Sequence, residues 1–196
     1  MATFLDILST LVIIAVMIGI MFLISKYKPN KLNIKQRRNW LIAHVIFVIF
    51  AISGLLGNLV LTLVSTAIVA DQIQIYSAHF LTRYFIWFLI IPGIFGSFIT
   101  GIWLALRTKW ELTKYYWIIV KTLGTITAIL FGRTWMPIWL EKITFLSQAN
   151  PMHNPAYFHS RQMLILGISI ALGIMFFLVI ISYIKPWGKR STAQAN

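Results

Sequence analysis

Histidine is the residue type in this chain that is best suited to chemistry, because the sequence holds four histidines, four acidic residues and no cysteine. A neutral imidazole binds transition metals, and it exchanges protons near pH 7. The lack of cysteine excludes disulfides, thiolate metal sites and cysteine nucleophiles. No phosphate-binding glycine loop, H-E-x-x-H motif or Ser-His-acid set is present, so hydrolytic chemistry is not expected.

His44 is the first candidate, because it lies about 6 Å inside an apolar helical segment that begins near Trp40. On a helix it shares a face with Phe47, Ala51, Gly54 and Asn58. Small residues on this face predict a channel beside the imidazole that would accept a large, flat ligand. The alternative is that His44 hydrogen-bonds a neighbouring helix and binds no ligand.

Lys121 is the second candidate, since it lies about six residues into another apolar segment and at a depth similar to that of His44. Its ammonium group either reaches back to the membrane interface or pairs with a carboxylate of a bound cofactor. The coincidence in depth favours a shared site with His44.

A second polar cluster is expected at the opposite ends of the apolar segments. It consists of His79, Arg83, Arg133, His159 and Arg161. These side chains either face lipid headgroups or hold a cofactor with anionic substituents. Met152 and His153, in a nearby loop, form a weaker candidate for copper.

The elements that must position these residues are membrane-spanning helices. The chain is 59% hydrophobic and only 11% charged, so lipid rather than water is its expected solvent. We predict an all-α integral membrane protein with a single membrane domain over residues 1–196. Its five transmembrane helices are expected over residues 4–25, 40–69, 79–106, 115–133 and 162–184, with an outer loop containing an interfacial helix over 134–161.

The basic residues predict the orientation of these helices. Twelve of the seventeen Lys and Arg residues fall in three segments of the sequence. They are Lys26, Lys28, Lys31, Lys35, Arg37 and Arg38; Arg107, Lys109 and Lys114; and Lys185, Lys189 and Arg190. By the positive-inside rule these segments are cytoplasmic, the N-terminus is outside and the C-terminus is inside. The net charge of +13 is therefore attributed to membrane orientation, and nucleic acid is not an expected partner.

Close helix packing and one kink are also predicted. Gly93, Ser97 and Gly101 recur every four residues, which allows another helix to approach closely. Pro92 removes one intrahelical hydrogen bond near the middle of the same segment, so the helix should kink there.

Residues 38–187 resemble a bacterial family of membrane haem proteins. The resemblance rests on the segment Trp40-Leu41-Ile42-Ala43-His44-Val45-Ile46-Phe47-Val48, on Arg83 with Pro92 and Gly101, on Trp117 with Lys121, and on Arg161 followed by Lys185-Pro186-Trp187. The order of these residues along the chain is similar to that in the HemJ-type protoporphyrinogen oxidases and in the copper-resistance D family. The resemblance implies a four-helix haem-binding core plus an N-terminal helix in a bacterial cytoplasmic membrane. It also implies that His44 ligates haem b and that Lys121 is functionally required.

The expected function is that of a membrane b-type cytochrome, because Arg161-Gln162-Met163 replaces the Asn-Glu pair that follows the corresponding arginine in the oxidases. One haem b is expected at His44. Either a second haem binds at His79 and His159, with Arg83, Arg133 or Arg161 pairing its propionates, or these two histidines face lipid headgroups. Electron transfer, or oxidoreductase activity linked to the haem, would use a quinone or another redox partner. A homo-oligomer is compatible with these features. The alternative is a copper-handling or structural membrane protein of the copper-resistance D type.

Overall fold

All regular secondary structure is helical in the computed structural model, which describes residues 2–27, 31–67, 71–108 and 115–188. The α-helices are α1 (Ala2–Tyr27), α2 (Ile34–Ala67), α3 (Gln72–Phe85), α4 (Ile91–Arg107), α5 (Tyr116–Leu146) and α6 (Pro155–Ile184). A π-helical turn, Ile86–Ile90, joins α3 to α4, and a 3₁₀ turn, Pro151–His153, precedes α6. The prediction of an all-α fold is therefore confirmed.

Four helical rods of the described chain are long and apolar enough to cross a membrane. They are Phe4–Tyr27, Ile34–Ser65, Gln72–Arg107 and Pro155–Ile184. The third of these contains α3, the π-helical turn and α4 as one continuous rod. Helix α5 is less apolar because Lys121, Arg133 and several threonines lie along it. The structure thus supports a multi-pass membrane fold with four apolar spans and a fifth, more polar long helix.

The boundary between the fourth and fifth predicted spans differs from expectation. The segment expected to leave the membrane after Arg133 continues as helix to Leu146, and α6 begins seven residues before the predicted start at 162. Leu140 and Ile143 are buried there, so packing against the bundle extends α5 past Pro137. A short interfacial helix was predicted within this loop, but residues 134–146 continue α5 instead.

Small residues on α4 let it pack closely against α2. A Cβ atom added at Gly93 would lie 2.4 Å from the backbone nitrogen of Ala51 and 2.8 Å from the carbonyl oxygen of Phe47. At Gly96 the same atom would lie 2.3 Å from the ring of Phe47. The close approach predicted for this helix face is therefore confirmed, and backbone rather than a side chain occupies the space at Gly93.

Helix α1 lies at the edge of a bundle formed by α2, α3–α4, α5 and α6. It packs on α4 and α5, and Ile14 and Met21 of α1 are buried together with Phe98, Ile102 and Ile129. Elsewhere α5 packs chiefly against α6, and α2 packs against α4. Many large apolar side chains face outward, including Ile49, Phe88 and Phe177, as expected of a surface in contact with acyl chains.

The backbone hydrogen-bonding pattern changes just before Pro92, in addition to the one bond that the proline removes. Pro92 has no N–H to donate, and the turn just before it is π-helical, with the Ile91 N–H bonded to the Ile86 carbonyl. A π-helical turn in a longer helix often marks a functional site. This turn borders the second cavity described below.

The described members of the three basic segments lie at one end of the bundle. The backbone N–H of Leu32 donates to the carbonyl of Arg107 over 3.0 Å, and the Lys185 ammonium lies 5.9 Å from the ring centre of Trp117. Arg37 lines the same cavity as Lys185 and Trp117. Lys28, Lys109, Lys114, Lys189 and Arg190, which also entered the topology prediction, lie outside the described residues.

Candidate functional site

His44 is held in one orientation by a hydrogen bond to helix α4. Its side chain is 8% exposed, and its Nδ1 lies 2.9 Å from the Thr100 hydroxyl oxygen. That hydroxyl already donates its proton to the Gly96 carbonyl over 2.7 Å, so it accepts from Nδ1–H. This arrangement leaves the lone pair of His44 on Nε2, which is how metal-binding histidines are commonly oriented.

Lys121 of α5 meets the free face of this imidazole. Its Nζ lies 3.3 Å from His44 Nε2 and donates to it, although 77 residues separate the two in the sequence. The predicted coincidence in depth of these two residues is confirmed. Any metal bound to Nε2 would take the place of this ammonium group, which can turn aside on its flexible four-carbon stem.

A cavity of about 590 Å³ opens beside the two side chains. Residues of α2, α4, α5 and α6 line it, most of them apolar. The charged residues in its lining are Arg37, Lys121 and Lys185, and no acidic residue is among the lining residues that the structure describes. A ligand of this cavity would therefore be largely apolar and negatively charged at one end.

The channel lies on a different face of α2 from the predicted one. Ala51 is fully buried, and the site of a Cβ on Gly54 lies 2.6 Å from Ile90, so these small residues pack against the neighbouring helical rod. The cavity is bordered instead by Val45, Val48, Ile49 and Ile52. The interpretation of the small residues was wrong in this respect, because they bring the helices together rather than making room for a ligand.

The outer histidines do not come together. His79 is 1% exposed, and its Nε2 lies 2.8 Å from the hydroxyl of Tyr157 on α6. His159 is exposed, and its ring packs against Trp139 of α5 at 5.6 Å. Tyr157 and His159 are about 200° apart around α6, so His79 and His159 are held on different sides of that helix. The structure does not support a second haem ligated by this pair.

The three outer arginines have separate partners or positions. Arg161 donates from Nε to the Thr62 carbonyl and from a terminal nitrogen to the Leu63 carbonyl, both over 3.0 Å, near the C-terminal end of α2. It therefore stabilises the C-terminal end of α2, and its role in binding a cofactor stays a prediction. Arg133 pairs with Asp6 over 3.1 Å, and Arg83 is exposed at the border of a second cavity.

The second cavity, of about 600 Å³, was not predicted from the sequence. Asn58, Thr82 and Arg83 are among its polar lining residues. Ile94, Ala128 and Met175 line both cavities, so these side chains separate the two spaces. The cavity forms where several helices meet, and no local sequence pattern marks such a place.

The copper hypothesis finds little support in the arrangement of potential ligands. Among the described residues no group of three or more His, Asp or Glu side chains is close enough to hold a metal ion. His153, in the 3₁₀ turn, has its Nδ1 3.2 Å from the amide oxygen of Asn150. Met152 and His153 are both exposed.

Comparison with known proteins adds no assignment. No protein-family model matches the chain, and neither a curated protein nor a solved structure gives a match. The similarity to the HemJ-type and copper-resistance D families therefore rests on the residues named for it above.

Proposed function

We propose that this protein is a membrane b-type cytochrome that binds one haem b in the first cavity, with His44 Nε2 as an axial ligand. The observation that carries the proposal is the orientation of His44, whose Nδ1–H is bonded to Thr100 while Nε2 faces Lys121 and the cavity. A hydrogen bond from Nδ1–H to a threonine hydroxyl fixes the orientation of an imidazole that binds a metal through Nε2.

The residues around His44 fit haem b in size, polarity and charge. A cavity of about 590 Å³ is within the usual range for cofactor sites, which is about 300–1,000 Å³. Its apolar walls suit the porphyrin ring, and the Lys121 ammonium group would supply positive charge for a propionate. Without cysteine the haem would be held non-covalently.

The chain itself would orient the haem and shield it from water. Thr100 would keep the proton of His44 on Nδ1, and Lys121, displaced from Nε2, would pair with an anionic substituent. Bound there, haem would supply a one-electron Fe³⁺/Fe²⁺ couple for electron transfer or for a membrane oxidoreductase. The basic end of the bundle would place this site in the cytoplasmic half of a bacterial inner membrane.

A leucine introduced at Gly101 tests whether this cavity holds the haem. A Cβ at Gly101 would lie 3.2 Å from Cε1 of His44, so Gly101→Leu both fills the cavity and pushes on the imidazole. We expect the ratio of haem to purified protein to fall at least tenfold, as measured by the pyridine haemochrome spectrum. The matched control is Gly132→Leu, which fills the second cavity, where an added Cβ meets no atom within 4 Å. Equal loss of haem in the two variants would contradict the assignment to the first cavity.

We further propose five membrane crossings with the N-terminus outside and the C-terminus in the cytoplasm, because the described residues of the three basic segments lie at one end. Cysteines introduced at the exposed positions Lys31 and Gln148 would be the only thiols in the chain. An impermeant maleimide should label Gln148→Cys in intact cells and Lys31→Cys only after lysis. Labelling of Lys31→Cys in intact cells would contradict this topology and show the opposite orientation.

A further inference from the structure

We propose that the second cavity binds the ring of a lipophilic quinone or quinol. The quinone would be the redox partner of the proposed haem protein, so its role rests on that proposed function. Its binding does not require haem. The cavity measures about 600 Å³, and most of its lining is apolar. It suits a flat ring with an isoprenoid tail in both size and polarity.

Asn58 provides the polar contact that such a ring needs. This residue of α2 lines the cavity, is 4% exposed, and its Oδ1 has no hydrogen-bond partner among the described residues. A buried acceptor left unpaired is costly, so a ligand that donates a hydrogen bond to Oδ1, as a quinol hydroxyl does, would gain affinity. A carboxamide donates to the carbonyl of a quinone through its NH₂ group and accepts from the hydroxyl of a quinol through its oxygen. It can therefore hold both redox forms.

Thr82 and the π-helical turn add independent support on the other wall. The Thr82 hydroxyl donates to the His79 carbonyl over 2.6 Å, which leaves its oxygen able to accept a second hydrogen bond inside the cavity. Ile86, Trp87 and Ile90 of the π-helical turn line the same space. The π-helical turn therefore lines the same cavity as Asn58.

The charge pattern favours a neutral head group over a phospholipid phosphate. Arg133, which lines the cavity, is already paired with Asp6, and Glu141 places a carboxylate in the same lining. Arg83 is exposed at the border. The deep polar groups, Asn58 and Thr82, are both neutral. A neutral ring that forms hydrogen bonds matches this pattern better than an anion does.

The two cavities are next to each other. Ile94, Ala128 and Met175 contribute to both linings, so a quinol in one cavity would lie one layer of side chains from a haem in the other. Oxidation of one quinol to the quinone releases two electrons and two protons. Each protein molecule would hold one haem, so the two electrons would reduce the ferric haems of two protein molecules, one electron each, and the protons would pass to water.

Binding is tested on the purified full-length chain with a tritium-labelled ubiquinone that carries two isoprene units, displaced by an excess of the unlabelled compound. We expect saturable binding that Asn58→Leu weakens about tenfold, since one buried hydrogen bond is lost. Gly132→Leu, whose added Cβ meets no atom within 4 Å and whose side chain extends into the cavity, should abolish it. Gly101→Leu in the first cavity is the matched control and should leave the dissociation constant unchanged. Thermal unfolding of each variant checks that it is folded.

His44→Ala separates this inference from the proposed function. Quinone binding should persist in His44→Ala, which is expected to lack haem, because His44 does not line the second cavity. Absence of saturable binding to the unmodified protein, or unchanged binding in both Asn58→Leu and Gly132→Leu, would overturn the quinone site even if haem is present.

Electron exchange is tested in the haem-loaded protein. The reduced quinol should reduce the haem, and Gly132→Leu should slow this reduction at least tenfold with haem content unchanged. A haem that the bound quinol leaves oxidised would overturn the electron exchange.

Discussion

Replacing His44 with alanine is expected to yield a purified protein with less than a tenth of the haem bound by the unmodified chain. The imidazole is 8% exposed and lies among apolar walls, so water does not readily replace it as a ligand. The loss should be visible as the disappearance of the Soret band from protein that still elutes as a single folded species.

The matched control for this substitution is His153→Ala. His153 is exposed in the 3₁₀ turn and contacts Asn150, away from both cavities. We expect it to retain full haem content. If His44→Ala and His153→Ala bind equal amounts of haem, His44 is not the ligand.

Replacing Gly93 with alanine should cause the largest loss of stability of any single methyl group added to the bundle interior. The new Cβ would lie 2.4 Å from the Ala51 nitrogen and 2.9 Å from its Cα, and main-chain atoms cannot turn aside as a flexible side chain would. Forcing α2 and α4 apart should cost about 3 kcal/mol or more. In a chain of this size that lowers the unfolding temperature by about 6–12 °C.

Gly173→Ala is the control for this effect, since it adds the same methyl group to a helix where no atom lies within 4 Å. It should be neutral, or stabilising by up to about 1 kcal/mol through helix propensity. Thermal unfolding in one detergent, followed by circular dichroism, compares the two variants. A Gly93→Ala protein as stable as Gly173→Ala would contradict the close approach of α2 and α4.

Helix content, and most helix boundaries to within a few residues, were predictable from the sequence because long apolar runs have few alternatives in a membrane. The end of α5 was not, because Arg133 and Pro137 are local signals for leaving the membrane, whereas burial of Leu140 and Ile143 depends on the neighbouring helices. Packing of the whole bundle decided that boundary.

The pairing of His44 with Lys121 was predictable as a coincidence of depth, but the role of Thr100 was not. Thr100 resembles many other threonines on these helices, and only the crossing of α2 and α4 brings it to 2.9 Å from Nδ1. The hydrogen-bond partners of Arg161 were not predictable for a related reason. Its partners are the carbonyls of Thr62 and Leu63, and backbone acceptors nearly a hundred residues away leave no mark in the sequence.

The two cavities have different proposed roles, and the polar residues in their linings differ accordingly. One cavity, at the basic end, holds positive charge and an oriented imidazole. The other has two buried, neutral polar residues in its lining, Asn58 and Thr82. Three side chains lie between them, so a cofactor in one and a diffusible carrier in the other would exchange electrons directly.

The central claim is that the unmodified chain binds one haem b, and the reduced-minus-oxidised absorption spectrum of the detergent-purified protein tests it most directly. The protein should be expressed with haem precursor supplied, and the pyridine haemochrome should be measured on the same sample. We expect a b-type α-band and a haem-to-protein ratio close to one. A colourless protein, or a ratio that does not rise above that of His44→Ala, would contradict it.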